Sequence, residues 1–258
     1  MADENRLNII SLNTWAGMAG SELLLSFFET YRDADIFCLQ EVQNGGIEDS
    51  RRVAAGRSLK GIEVELLEKL KATLPDHVVI FTPQYARYYG VAMFIRKGLR
   101  IVSQGDFCVY REPGFVSTVD IADHARVLQH ATIEMPQGLV TVLNVHAAWQ
   151  ATGKVDTPER LEQSQRIIDF TKTISHPLVL CGDFNLLPET QSIKLLEDAG
   201  WENLITTHGI TSTRTSLYKK PERYADYIFT KNGVNVHEFR TLPEEVSDHA
   251  ALFLDCSI

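Results

Sequence analysis

Four short hydrophobic runs in this chain end on a polar residue, and that constrains the fold more than any other feature. Leu7–Leu12 leads into Asn13, and Ile36–Leu39 leads through Gln40 to Glu41. Val140–Val145 ends at His146, and Leu178–Cys181 passes through Gly182 to Asp183, with Asn185 two residues on. Toward the C-terminus the order reverses: Asp226 precedes Tyr227-Ile228-Phe229, and Asp248-His249 precedes Ala250–Leu254. Apolar runs this short, bounded by polar residues, are strands. In α/β sheets, groups at the carboxyl ends of strands converge on a ligand site. If the late strands run antiparallel to the early ones, their starts share that edge, and one pocket gathers carboxylates, two histidines and two carboxamides. A lone carboxylate at a strand end is ordinarily a turn former. The same pattern repeated on six strands is not explained that way.

The remaining periodicity fills in the architecture. Strand-type runs lie at Leu7–Leu12, Asp35–Leu39, Val78–Thr82, Val91–Ile95, Val127–Ile133, Leu139–Val145, Leu178–Cys181, Tyr227–Thr230, Val234–Phe239 and Ala251–Leu254. Four helices are expected. One spans about 21–32, with Leu24, Phe27, Phe28 and Tyr31 at helical spacing. A second carries Ile62, Leu66, Leu70 and Leu74 and stops at Pro75. A third opens at Thr157-Pro158, a cap followed by proline in the first turn, and a fourth runs from Thr190 to Ala199 before Gly200. Several strands follow one another too closely for helical crossovers, so the sheets are mixed or antiparallel. Ten strands with few helices suit two packed sheets with helices outside, in one domain over 1–258. Gln43 to Lys60 is polar and aperiodic, and it is expected to be a long loop.

Composition narrows the functional classes. Lys and Arg total 25 against 34 Asp and Glu, a formal net charge of −9. That excludes a broad basic face for coating duplex DNA, while leaving room for a small basic pocket. The four cysteines, Cys38, Cys108, Cys181 and Cys256, share no short spacing, so neither a zinc pattern nor a disulfide framework is suggested. The sequence opens with no basic-then-apolar signal region, and no apolar run reaches the roughly 20 residues of a bilayer helix. The expectation is a reduced, cytoplasmic protein with no membrane span and no obligate protein partner.

The site motifs resemble those of the endonuclease/exonuclease/phosphatase superfamily, the DNase I-like metal-dependent phosphoesterases. The matching pieces are Ser11-Leu12-Asn13-Thr14-Trp15, Leu39-Gln40-Glu41-Val42, Asn144-Val145-His146, Gly182-Asp183-Phe184-Asn185, Ala225-Asp226-Tyr227-Ile228 and Ser247-Asp248-His249. The resemblance implies a four-layer α/β/β/α sandwich. It makes Glu41 the principal Mg²⁺ ligand, with Asn13 beside it and Asp248 near; Mn²⁺ is an alternative ion. Mg²⁺ favours hard oxygen ligands and needs only one or two carboxylates, which suits this set. By the same resemblance Asp183 and Asn185 orient the attacking water and the phosphoryl group, and Asp226 fixes His249. His146 donates to a non-bridging or leaving oxygen. Either His249 or Asp183 is the general base. Arg126 falls where relatives place an arginine ahead of the histidine strand.

The implied activity is hydrolysis of a phosphodiester, or a phosphomonoester, in a small or single-stranded nucleotide-type substrate or a phosphorylated headgroup. A structure-directed DNA endonuclease is the alternative, and an inactive binding scaffold is the weakest reading. Two departures count against DNA repair: Trp15 stands where abasic-site endonucleases carry an acidic residue, and Leu186-Leu187-Pro188-Glu189 follows the Gly-Asp-Phe-Asn element. Basic residues bunch at Arg51, Arg52, Arg57 and Lys60 and again at Arg214, Lys219, Lys220 and Arg223. Both groups are tethered to site residues and are expected on its rim, where Arg51, Arg52, Arg126, Arg214, Lys219 and Arg223 would meet an anionic substrate. Tyr85, Tyr88, Tyr89 and Tyr218 are candidates for stacking on a base.

Overall fold

A computed structural model of the chain describes residues 5–46, 53–54, 57–58, 61–112, 114–118, 120 and 122–258. The chain runs β1 (Arg6–Asn13), α1 (Ser21–Thr30), β2 (Ile36–Gln43), β3 (Val53–Ala54), β4 (Arg57–Ser58), α2 (Leu66–Thr73), β5 (His77–Tyr85), β6 (Tyr89–Arg96) and β7 (Arg100–Tyr110). It continues through β8 (Arg126–Met135), β9 (Gly138–His146), α3 (Pro158–Thr171), β10 (Leu178–Asp183), α4 (Gln191–Asp198), β11 (Glu202–Asn203), α5 (Leu204–Thr207), β12 (Asp226–Lys231), β13 (Asn235–Thr241) and β14 (Leu252–Ser257).

Two six-stranded mixed sheets form, in the orders β13-β14-β1-β2-β6-β5 and β11-β12-β10-β9-β8-β7. In the first sheet both faces of the central strands are apolar, which is why these strands are near-continuous hydrophobic runs. Leu7, Ile9, Ile36, Cys38, Met93 and Ile95 join the core between the sheets. The alternate residues Ile10, Leu12, Phe37, Leu39, Ala92 and Phe94 pack outward against Leu24 and Phe28 of α1 and Leu66 and Leu70 of α2. Phe28 meets Phe37 edge-on at 5.3 Å; each such fully buried ring contributes about 1.5–3 kcal/mol. On the far side, Ile167 of α3 and Ile193 and Leu196 of α4 cover the second sheet. The four layers are therefore helix, sheet, sheet, helix, as expected.

Register decides where the polar ends fall. β1 and β2 are parallel, with Asn13 opposite Gln40, and β14 runs antiparallel to β1 with Leu252 opposite Ser11. In the second sheet β9 and β10 are parallel with His146 opposite Asp183, and β12 is antiparallel with Asp226 opposite Asp183. The late strands thus start at the edge where the early ones finish.

Some local expectations need amending. β7, an eleven-residue edge strand, was not among the expected runs; its Ser103-Gln104-Gly105-Asp106 stretch faces solvent on one side and breaks the apolar alternation. α2 begins at Leu66, not Ile62. Within the expected long loop, β2 extends to Gln43 and the described residues 53–54 and 57–58 pair as a short hairpin. Arg51, Arg52 and Lys60 lie outside the described residues. All four cysteines are thiols, three of them buried. Among the described residues, no helix is long and apolar enough to cross a membrane.

Candidate active site

Glu41 reaches the shared edge through a distorted strand. Between Leu39 and Val42 the pairing of β2 with β6 slips by one residue, a bulge that re-aims a side chain. Glu41 there has φ +57°, a left-handed backbone that a non-glycine residue adopts only when its surroundings impose it. The surroundings do so: the Thr14 hydroxyl sits 3.0 Å from the carbonyl oxygens of both Gln40 and Glu41. Asn185 is left-handed too, with φ +54°, and its N–H donates to Asp183 Oδ1 at 2.9 Å. Gly182 (φ +152°) has no substitute, since a Cβ there would lie 1.9 Å from the Val145 carbonyl oxygen across β9.

Asp183 is the hub of the site. Its Oδ2 accepts from Asn13 Nδ2 at 2.9 Å and lies 3.7 Å from His146 Nε2 and 3.8 Å from His249 Nε2. Asn13 Nδ2 also donates to Glu41 Oε1 at 3.0 Å, while its Oδ1 accepts the Trp15 N–H at 2.9 Å. His249 Nδ1 is held by both oxygens of Asp226, at 2.8 and 2.9 Å, and its Nε2 is 3.5 Å from Asp248 Oδ1. Asp248 Oδ2 lies 3.6 Å from Arg214 Nη1. Asn13, His146, Asp183, Asn185, Asp226, Asp248 and His249 are all buried, and Glu41 is partly so.

A polar layer beneath ties the two sheets together, and the sequence reading did not identify it. Gln40 of β2 donates to Asn144 Oδ1 of β9 at 2.8 Å, and Asn144 Nδ2 returns bonds to the carbonyls of Leu39 and Ala92 at 3.1 and 3.2 Å. Ser247 Oγ donates to the Asn13 carbonyl at 2.7 Å, locking the segment before β14 to the end of β1.

Electrostatics sharpen the picture. Burial raises the Asp183 carboxyl, but His249, His146, Lys154 and Arg214 outweigh it and hold it well below the usual range. Burial and Arg214 push the His249 imidazole down, and Asp226, Asp183 and Asp248 more than reverse that, so it stays charged to higher pH than usual. Burial and Arg126 depress His146, leaving it neutral. Burial raises Glu41, with Asp248 and Asp183 adding to the rise. Glu41, His146 and Asp183 each offer a ligand atom within 4.8 Å of the others, as do Asp183, Asp226 and His249. In the second group the Asp226–His249 bond already occupies Asp226 and His249 Nδ1. The first has two hard carboxylates whose mutual repulsion a divalent cation would relieve, which fits Mg²⁺ or Mn²⁺. Among the described residues, Asp248 is not in that group; it stands with His249 and Arg214 instead.

The basic rim divides. Arg126 is buried near Tyr89, Glu41 and Asp183 and donates to the Ala122 carbonyl at 2.8 Å. Arg214 lies at the site with its guanidinium 4.1 Å from the Tyr218 ring centre. Lys219 and Arg223 are exposed on the segment leading into β12, and Lys219 is spent on the Ser216 carbonyl at 2.7 Å. Of the tyrosines, Tyr89 approaches His146 at 6.4 Å and Tyr85 stacks edge-on with Tyr88. One buried cation was missed altogether: Lys154, in the segment after β9, where no periodicity or motif marks it.

Residues 10–249 match the family described as Endonuclease/Exonuclease/phosphatase family. No curated protein sequence matches the chain. A solved endonuclease/exonuclease/phosphatase from Bacteroides vulgatus is 17% identical with a TM-score of 0.71, covering 98% of this chain and 99% of that one. The mannosyl-6-phosphatase Bt3783 of Bacteroides thetaiotaomicron is 17% identical with a TM-score of 0.70, covering 98% and 100%. TDP2 of D. rerio, complexed with a single-strand DNA product, is 16% identical with a TM-score of 0.71, covering 98% and 99%.

Proposed function

Because the chain belongs to the endonuclease/exonuclease/phosphatase family, we propose that it is a divalent-metal-dependent phosphoesterase. It hydrolyses phosphodiester or phosphomonoester bonds of a small or single-stranded nucleotide-type substrate, or of a phosphorylated headgroup, by in-line attack of water. The observation that carries this reading is Asp183: a fully buried carboxylate kept ionised against burial by His249, Lys154 and Arg214, and bonded to Asn13 and Asn185. A buried charge is costly unless it is paired, and such arrangements concentrate at functional sites.

In this reading Glu41 and Asp183 would hold the cation, Mg²⁺ or Mn²⁺, with the Asn13 Nδ2 bridging and orienting the two carboxylates. When bound, the cation neutralises charge on the phosphoryl and leaving oxygens. Asp183 accepts a hydrogen bond from the attacking water and takes its proton as the new O–P bond makes that oxygen more acidic. His249, charged and fixed by Asp226, donates from Nε2 to the phosphoryl oxygens; the opposite directions of the Asp183 and His249 shifts support this division over His249 as base. Neutral His146 donates a further bond, and Asn185 orients the phosphoryl group. Most of the acceleration is positioning and electrostatic stabilisation, as phosphoryl transfer demands.

The test is phosphate or alcohol release from p-nitrophenyl esters, and cleavage of end-labelled oligonucleotides, with Mg²⁺ and with chelator. Chelation should abolish turnover, and Asp183→Asn should lower it by about 10²–10⁴-fold. Metal-independent turnover, or an Asp183→Asn protein as fast as wild type, would overturn the assignment. Cleavage of oligonucleotides alone, with binding that falls steeply with salt, would favour the DNA endonuclease alternative.

A further inference from the structure

Lys154 is only 7% exposed, and its Nζ has no hydrogen-bond partner among the described residues. An ammonium removed from water and left unpaired is unfavourable and rarely retained without use. The surrounding segment is nevertheless built to hold it there. Arg160, itself buried, donates through Nη1 to the carbonyls of Gly153 and Val155, the residues on either side, at 2.6 Å each. The Lys154 carbonyl accepts the Leu187 N–H at 3.2 Å, two residues past Asn185. Asp156 accepts the N–H groups of Gln191 and Ser192 at 2.7 and 2.8 Å, pinning the segment to the start of α4.

The neighbours of Lys154 point to what it awaits. The Tyr218 ring has the Arg214 guanidinium at 4.1 Å and the Lys154 ammonium at 5.9 Å, so two cations share one aromatic wall. Arg214 Nε likewise has no partner among the described residues. The carboxylates in electrostatic reach of Lys154 include Asp183, Asp226 and Glu222. All three are engaged: Asp226 places both oxygens on His249 Nδ1, Asp183 bonds Asn13 and Asn185, and Glu222 accepts the Tyr218 hydroxyl at 3.3 Å. Cations with unspent donors, lining a site whose carboxylates are committed, are arranged for an anion arriving from solution.

We propose that Lys154, with Arg214 and the face of Tyr218, forms an anion subsite that takes the second negative charge of a substrate ending in a phosphomonoester. This rests on the phosphoesterase reading above and adds the substrate class. A diester carries one charge at phosphorus, shared by two oxygens. A monoester dianion carries a second, and Lys154, an unpaired donor beside Arg214 and Tyr218, is placed to receive it. Burial and Arg214 press the Lys154 ammonium down to about 8 in the free protein, as a cation lacking its counter-ion should behave.

Inorganic phosphate is the probe, added to wild type, Lys154→Met and Lys154→Gln, and followed by calorimetry and by thermal unfolding. Wild type should bind phosphate and gain Tm with it. Lys154→Met should bind at least ten-fold more weakly and lose that gain, while unfolding some 2–4 °C higher than wild type without phosphate, since an unpaired buried charge is gone. Lys154→Gln should lose the phosphate response in the same way. With p-nitrophenyl phosphate, kcat/KM should fall about 10–100-fold in Lys154→Met, and with bis(p-nitrophenyl) phosphate it should change less than three-fold. If both variants bind phosphate as wild type does, or if Lys154→Met unfolds at lower temperature with its phosphate affinity intact, Lys154 is a structural cation and the subsite is refuted. If wild type hydrolyses neither ester but phosphate binding still requires Lys154, the subsite survives and the phosphoesterase reading fails.

Discussion

At the level of single residues, His249 is the most informative titrating group. Its charge is favoured by Asp226, Asp183 and Asp248 against the opposing effects of burial and Arg214. Used as a cation, it makes kcat fall as pH rises through its folded value; used as a base, it makes kcat rise over the same interval. We expect the fall. Asp226→Asn removes one of the groups that raise His249, so the fall should move to lower pH, with a loss of about 10²–10⁴-fold at neutral pH. A pH–rate profile of the two proteins checks both statements. The same shift carries a stability signature in the metal-free protein. His249's contribution is full below its unfolded value of about 6.5 and fades as pH rises through the raised folded value.

Among the elements, β10 is intolerant of change at Gly182. Gly182 lies against the Val145 carbonyl, so Gly182→Ala must push β9 and β10 apart or distort the strand. The expected cost is about 3 kcal/mol, a Tm lower by about 6–12 °C, with activity falling further because His146 and Asp183 are opposite one another on those two strands. Thermal unfolding and kcat on one preparation test it; an unchanged Tm would contradict the close approach. These same elements explain what could be read in advance. Asn13, Glu41, His146, Asp183, Asp226 and His249 stand where apolar runs stop or start, so strand periodicity exposes them. Lys154 sits in an aperiodic segment held by Arg160 and by Leu187, contacts that no local pattern announces. β7 was hidden because an edge strand needs only one apolar face and this one interrupts even that. The bulge at Glu41 has no local composition signal at all; it appears only when β2 meets β6. Lys219 and Arg223 are exposed on the segment leading into β12, and tethering to Asp226 fixes that backbone's path, not where a long side chain points.

For the molecule as a whole, binding at the site should couple to global stability. A ligand selective for the folded state adds about 2.7 kcal/mol at a hundred-fold excess over its Kd, here a Tm rise of about 5–10 °C. Mg²⁺ or Mn²⁺ should give such a rise in wild type, and Glu41→Ala should abolish it. A Glu41→Ala protein with the full metal-induced rise would remove Glu41 from the ion's ligands, whatever its activity.

The junction of β1 with β14 carries a last consequence. Asn13, near the beginning of the chain, is clasped by Ser247, and His249 follows two residues later. A chain emerging from the ribosome therefore displays Asn13, Glu41 and even Asp183 long before the imidazole that completes them has been translated. On the proposed function, the reacting centre needs β14 to dock beside β1, and a polypeptide cut before Ser247 should be inert; turnover by such a fragment would contradict the closure.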